Sequence, residues 1–291
     1  MKNINILDLS QFNEADFGQE FYINTIENHI KQTHLHIDKP HKHNFYVTVL
    51  FTKGSGKHEI DFVNYDIVPG SVFFLNPGQV HHWELSADIS GYIFFHTQSF
   101  FEKDFTHNHI HNFPFFYHQQ NYAKIDLEGR NTLYITSLFI SIYNENKIDL
   151  SFRAEKIITL IHLIYIECSR LYFEKNLPEQ IVQNGYARKF KSFQDLVEQH
   201  YKTEKSASQY ASWLHMSAKH LNRIIQNIIG KTTTEYIIER VMLEAKREMI
   251  HQKKNLNEIA LDLGYDDYAY FSRLFKKHFN ENPSDFINRY P

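Results

Sequence analysis

The sequence predicts an α+β chain of two domains. A β-barrel followed by helices comes first, then an all-α domain of two helix-turn-helix units joined by a long helix. Three observations lead there. Residues 21–101 fall into short β-branched and aromatic runs cut by Gly/Pro turns. Near residue 128 the apolar period changes from that of strands to that of helices. Two segments about 50 residues apart, 210–230 and 259–279, carry one shared pattern.

The bulk numbers agree. A chain of 291 residues suits two domains, each with its own core. Apolar content of 42% and aromatic content of 15% exclude a disordered chain. The one cysteine, Cys168, rules out an intrachain disulfide framework and a Cys2His2 zinc site, and fits a reducing compartment. The first 20 residues lack the apolar core of a signal peptide. The longest apolar run, IITLIHLIYI, has ten residues where a bilayer needs about 20. A cytoplasmic protein with no membrane partner is expected. Charge divides the chain: residues 186–291 hold 17 Lys and Arg against 13 Asp and Glu, while the rest holds 14 against 21. A basic C-terminal third beside an acidic remainder suggests two tasks.

Taken in order, residues 1–20 read as an arm with little pattern. Residues 21–110 read as the barrel. In FYVTVLF, Phe45, Val47, Val49 and Phe51 alternate with Tyr46, Thr48 and Leu50, the period of a half-buried strand. Residues 111–176 are expected to form a helical dimerisation region, with helices at 127–144 and 151–175. In the second, Ile157, Ile161, Ile164, Cys168 and Leu171 step by 4, 3, 4, 3, a coiled-coil-like seam. That helix either packs on its own barrel alone or, being apolar on several faces, also forms the interface of a homodimer. Pro178 and Gly185 place a linker at 177–186.

The C-terminal domain, 187–291, follows from the duplication. Ala211 and Ala260 are small where two helices cross closely, and Ser217 and Asp267 are N-caps for the second helix of each unit. Gly264 permits a left-handed turn, whereas the first copy has His215 there. Leu221, Ile224, Ile225 and Ile228 share one face of a helix, as do Phe271, Leu274, Phe275 and Phe279. The opposite faces carry Lys219, Asn222, Arg223 and Gln226, and Ala269, Ser272, Arg273 and Lys276. Arg, Lys, Asn and Gln are the side chains that contact base edges and phosphates in a major groove. Between the copies, Thr232 and Glu235 form a capping box that opens one long helix.

These residues, LNEIALDLGYDDYAYFSRLFKKHFNENPSDF above all, resemble the AraC/XylS-type transcription regulators over about 105 residues from Ala187 onward. Two positions depart: Asn280 replaces a usual glycine, and Thr233 stands where the first repeat often has proline. The resemblance implies a regulator that is not an enzyme, with promoter DNA and RNA polymerase as partners. It places recognition helices in successive major-groove segments roughly 34 Å apart. The implied readers are Lys219, Asn222, Arg223, Gln226, Ala269, Ser272, Arg273 and Lys276, with Lys231 and Lys277 on phosphates.

The order HKH, GSG, VPGSVFFLNPGQVHH resembles the small cupin barrel that such regulators carry. A catalytic cupin needs His-x-His, a nearby Glu and a later His. His41, His43 and His81 are here, but residues 44–49 supply no carboxylate. The reading is therefore a pocket for a small-molecule effector at the barrel rim, with no metal and no cofactor. The resemblance places His41, His43, Lys53, His81, Trp83 and Tyr92 in it. Two alternatives stay open: a metal-dependent cupin enzyme carrying a DNA-binding domain, and a regulator whose barrel only dimerises.

Overall fold

Strand β4 (Tyr46–Lys53) carries the alternation read from FYVTVLF, yet both of its faces are buried over most of its length. Val47, Val49 and Phe51 point into the barrel, while Tyr46 and Leu50 face a layer of helices. Half-burial fails because the outer face has a partner. The computed structural model describes residues 5–12, 16–32, 39–103, 110, 113–116, 123–176, 186–251 and 254–289. The linker expected at 177–186 lies outside them except for Tyr186. The chain divides into one unit over Asn5–Lys175 and another over Asn176–Pro291.

The first unit contains β1 (Asn5–Leu7), β2 (Phe21–Thr25), β3 (His41–His43), β4, β5 (Gly56–Ile60), β6 (Val63–Ile67), β7 (Ser71–Leu75), β8 (His81–Leu85), β9 (Ser90–His96) and β10 (Lys124–Asp126). They form two five-stranded sheets, ordered β1-β3-β8-β5-β6 and β10-β7-β4-β9-β2. Register brings β3 to β8 through His41 opposite His81, and β5 to β8 through His58 opposite Trp83. The arm is more structured than its sequence suggests. β1 pairs in parallel with β3, and Asp8 caps a 3-10 turn at Leu9–Gln11. A backbone ladder needs no side-chain period of its own, so a three-residue edge strand leaves little trace in sequence.

Among the described residues four α-helices accompany the sheets: α1 (Ile26–Gln32), α2 (Gln98–Glu102), α3 (Gly129–Glu145) and α4 (Arg153–Asn176). The seam of α4 packs on the barrel. Ile157, Ile161, Ile164 and Cys168 are fully buried in one cluster with the outward side chains of β4, β7 and β9. Burial pushes the Cys168 thiol well up, so it stays protonated and acts as a small apolar filler. Tyr165 ties helix to barrel: its hydroxyl bonds Thr48 Oγ1 at 2.9 Å and His96 Nε2 at 2.8 Å.

The second unit is all helix among the described residues: α5 (Tyr186–His200), α6 (Ala207–Trp213), α7 (Ala218–Ile229), α8 (Thr233–His251), α9 (Leu256–Asp262), α10 (Tyr268–Phe279) and α11 (Pro283–Arg289). The pairs α6–α7 and α9–α10 are the two helix-turn-helix units. Both turns begin with one geometry, and the second is one residue longer before its helix cap. His215 and Gly264 take φ of 52° and 76°, and the next residue's N–H reaches back to Ala211 O and Ala260 O at 3.0 and 2.9 Å. The histidine therefore adopts the glycine's conformation, at the strain of a left-handed Cβ. Ser217 and Asp267 cap α7 and α10 as expected. Gly230 and Asn280 end them in matching left-handed residues, φ 71° and 56°.

Candidate nucleic-acid interface and candidate ligand site

α7 buries Leu221, Ile224 and Ile225 and exposes Lys219, Arg223 and Gln226. α10 buries Phe271 and Phe275 and exposes Ala269, Arg273, Lys276 and Lys277, with Ser272 half-buried. The spacing i, i+3, i+4, i+7 puts each polar set on one stripe. Local bonds already shape some of these side chains. Arg223 donates from Nη2 to His220 Nδ1 at 2.8 Å. Asn222 is half-buried, and its Oδ1 accepts from the Thr233 backbone N–H at 3.0 Å, so it caps the start of α8. Lys231 donates to Glu239 at 2.7 Å and is partly screened by that carboxylate. Tyr270, 51% exposed, was not among the residues read from sequence. Its signal was there: with Arg273 and Lys277 it follows the i, i+3, i+7 spacing of one helix face.

α8 sets the relation between the two units. Thr232 and Glu235 form the predicted capping box, each bonding the other's backbone N–H at 3.2 and 2.7 Å. Ile237, Val241, Met242, Ala245 and Met249 are buried along it, while Ile238 is only partly so. Arg240 is buried beneath them, paired with Glu198 at 2.7 Å and Glu244 at 3.0 Å, over the Tyr201 ring at 4.0 Å. That network fastens α8 to α5.

In the first unit the histidines do not lie at a rim. His41, His43 and His81 are 5%, 4% and 1% exposed and offer ring nitrogens within 4.8 Å of one another. β3 and β8 are neighbours, and the period of two turns residues 41, 43 and 81 inward together. His58 on β5 completes the group: its Nε2 lies 2.9 Å from His81 Nδ1. It was missed because its one sequence cue, the alternation of KHEI, does not say which sheet neighbour it meets. Burial pulls all four imidazoles below the usual histidine range, so they are neutral at pH 7. Glu59 points to the other side of the sheet, toward His82 at 4.0 Å, so it is not the missing cupin carboxylate.

The predicted pocket residues separate into two groups. Trp83 lies inside, 5.4 Å from the His81 ring. Lys53 is exposed near Asp88 at the end of β4, and Tyr92 faces outward against Tyr143 on α3. Neither joins the histidines: on β9 the inward positions are Ile93 and Phe95, so period two sends Tyr92 out. A cavity of about 480 Å³ opens instead between α1 and β8, lined by Glu27, Ile30, Lys31, Trp83, Leu85 and Ile89 among others. Glu27 Oε2 and Trp83 Nε1 are buried there without a hydrogen-bond partner among the described residues.

A ligand-sensing barrel followed by two exposed, identically spaced helix-turn-helix faces defines a DNA-binding transcription regulator. Residues 26–103 match the AraC-like ligand binding domain and residues 210–289 a helix-turn-helix domain. The chain is 22% identical to the HTH-type transcriptional activator RhaS of Mannheimia succiniciproducens over 84% of its length and 87% of that protein. It is 34% identical to the regulatory protein SoxS of Salmonella typhimurium over 28% of its length and 71% of SoxS. Among solved structures, ToxT from Vibrio cholerae O395 is similar at 14% identity and a TM-score of 0.44, covering 94% of this chain and 98% of that one. The chain belongs to the AraC/XylS family of transcription regulators. No described helix is long and apolar enough to cross a membrane.

Proposed function

We propose that α7 and α10 read promoter DNA in two successive major-groove segments, with Arg223 and Arg273 as the principal base readers. The observation that carries this is the shared build of the two units: a left-handed residue opening each turn, a side-chain N-cap and a left-handed C-cap on each recognition helix, and one polar spacing. Lys219, Gln226, Lys276 and Tyr270 flank the two arginines, and Lys277 is an exposed phosphate contact. Asn222 and Lys231 act chiefly as supports, since their polar atoms already serve α8. Footprinting tests the reading: two protected segments about 34 Å apart on one DNA face are expected per chain. One protected segment would reject it.

The effector binds in the cavity beside Trp83. Its lining is mostly apolar, with Ile30, Leu85, Ile89 and Trp83, and carries charge at Glu27 and Lys31. A largely apolar compound with one or two polar groups fits such a wall. Two chains associate through surfaces other than the seam of α4. Leu133, Tyr134 and Ile140 on α3, exposed at 75%, 44% and 38%, support that side. The regulator works in the cytoplasm, where its DNA and RNA polymerase are.

A further inference from the structure

We propose that Lys189 on α5 and His220 on α7 together bind one backbone phosphate of the promoter. DNA contact then extends to a helix outside both helix-turn-helix units. The inference rests on the reading that α7 enters a major groove, and adds a contact which that reading does not contain.

Three basic side chains stand in a row there. Arg223 Nη2 lies 2.8 Å from His220 Nδ1, and Lys189 Nζ lies 3.4 Å from His220 Nε2. Arginine and lysine only donate, while a neutral imidazole has one bare nitrogen and one N–H. His220 can therefore accept from one of the two. The shorter contact is the hydrogen bond: Nδ1 accepts from Arg223, and the ring proton sits on Nε2. Nε2–H and the Lys189 ammonium then face each other as two donors that cannot bond to each other. Lost hydration, Lys189 and Arg223 together hold His220 below the usual histidine range, so the ring stays neutral at pH 7. An oxygen carrying negative charge accepts from both donors at once, and a phosphate supplies such an oxygen. Arg223 keeps its other N–H groups for base edges.

Charge and position point the same way. Lys231, Arg240, Lys254 and Arg289 each have a carboxylate partner. Among the described residues no carboxylate pairs with Lys189, a property it shares with Lys219, Arg223, Arg273, Lys276 and Lys277 of the recognition helices. At about 100° per residue, His220 lies about 60° around α7 from Arg223, at the edge of the reading stripe. With the stripe on base edges, that edge faces the sugar-phosphate wall of the groove. Lys189 is exposed but its helix is anchored: the neighbouring Phe190 is buried 5.7 Å from the Tyr236 ring of α8, and Tyr186 lies 6.1 Å from the His220 ring. In α10, Tyr270 stands at the place of His220, so this donor pair belongs to the first unit.

The test uses the full-length chain and a duplex that it selects from a random pool. Ethylation interference with the unaltered chain should mark, among its phosphates, one at the edge of the first protected segment. Lys189→Gln should erase that position, keep the base preference, and lower the slope of log affinity against log salt by about 0.9. His220→Phe, which keeps a ring against Tyr186, should erase the same position. Melting curves show whether both fold, and Lys189→Gln decides alone if His220→Phe does not. The proposal is overturned if Lys189→Gln keeps every interfering phosphate and the full slope while two segments stay protected. It is overturned too if folded His220→Phe keeps the phosphate that Lys189→Gln loses. One protected segment with the unaltered chain is a separate failure, that of the reading of α7, and removes the inference with it.

Discussion

Arg223 and Arg273 occupy the same place on two helices and are both exposed. Each Arg→Ala change is expected to weaken specific binding by about 1–3 kcal/mol, the worth of a good bidentate base contact. Gel-shift titration at fixed salt checks this, and unchanged operator affinity in both variants removes them as readers. Gly264 is a different kind of residue. Its φ is 76°, and an added Cβ would stand 2.2 Å from Lys202 O. Gly264→Ala should therefore destabilise the C-terminal domain by more than about 1 kcal/mol. An unaltered urea midpoint would mean that the backbone shifts freely there. His215 shows why the sequence leaves this turn ambiguous: a non-glycine can be held in the same region when its neighbours supply the bonds.

At the level of elements, α8 is held by a buried charge rather than by apolar surface alone. Arg240 is 5% exposed, and Glu198 and Glu244 hold its guanidinium fully charged. Arg240→Ala leaves two carboxylates in a poorly hydrated place, and breaking such a pair costs about 3–5 kcal/mol. Thermal unfolding should show the loss. A stability change under 1 kcal/mol, far below that range, would mean that water reaches the glutamates. The long helix, its capping box and both recognition helices were legible from Thr232, Glu235, Ser217 and Asp267, because caps and apolar period are local. Glu244, four positions on, is a local partner of Arg240, but Glu198 was not legible, since it lies on another helix 42 positions away. The histidine site divides the same way. His41, His43 and His81 stand out by spacing, while His58 enters only through strand pairing, and Lys53 and Tyr92 leave by it.

At the level of the molecule, the first unit buries neutral histidines at several places. Burial pulls His96 down to about 4 and His29 to about 3, against about 6.5 unfolded. Below 6.5 the unfolded chain takes up protons that the folded chain refuses, so stability is complete above that pH and falls toward pH 4. His96 alone accounts for a loss on the order of 3 kcal/mol by pH 4. Urea unfolding followed from pH 7.5 to 4.5 should show a midpoint that falls with acid. A flat profile would show that these rings are hydrated in the folded protein.

What the sequence determined by itself is whatever rests on local period and caps: two domains, a barrel of short strands, and duplicated helix-turn-helix units with their exposed polar stripes. What only the tertiary structure decided is which faces meet. It turned the α4 seam onto the barrel, brought His58 beside His81, sent Tyr92 outward and committed Asn222 to α8. The physical reason is range. Helical and strand periods are set within a few residues, whereas burial and side-chain partnership depend on elements tens of residues apart, which one chain's linear order does not record.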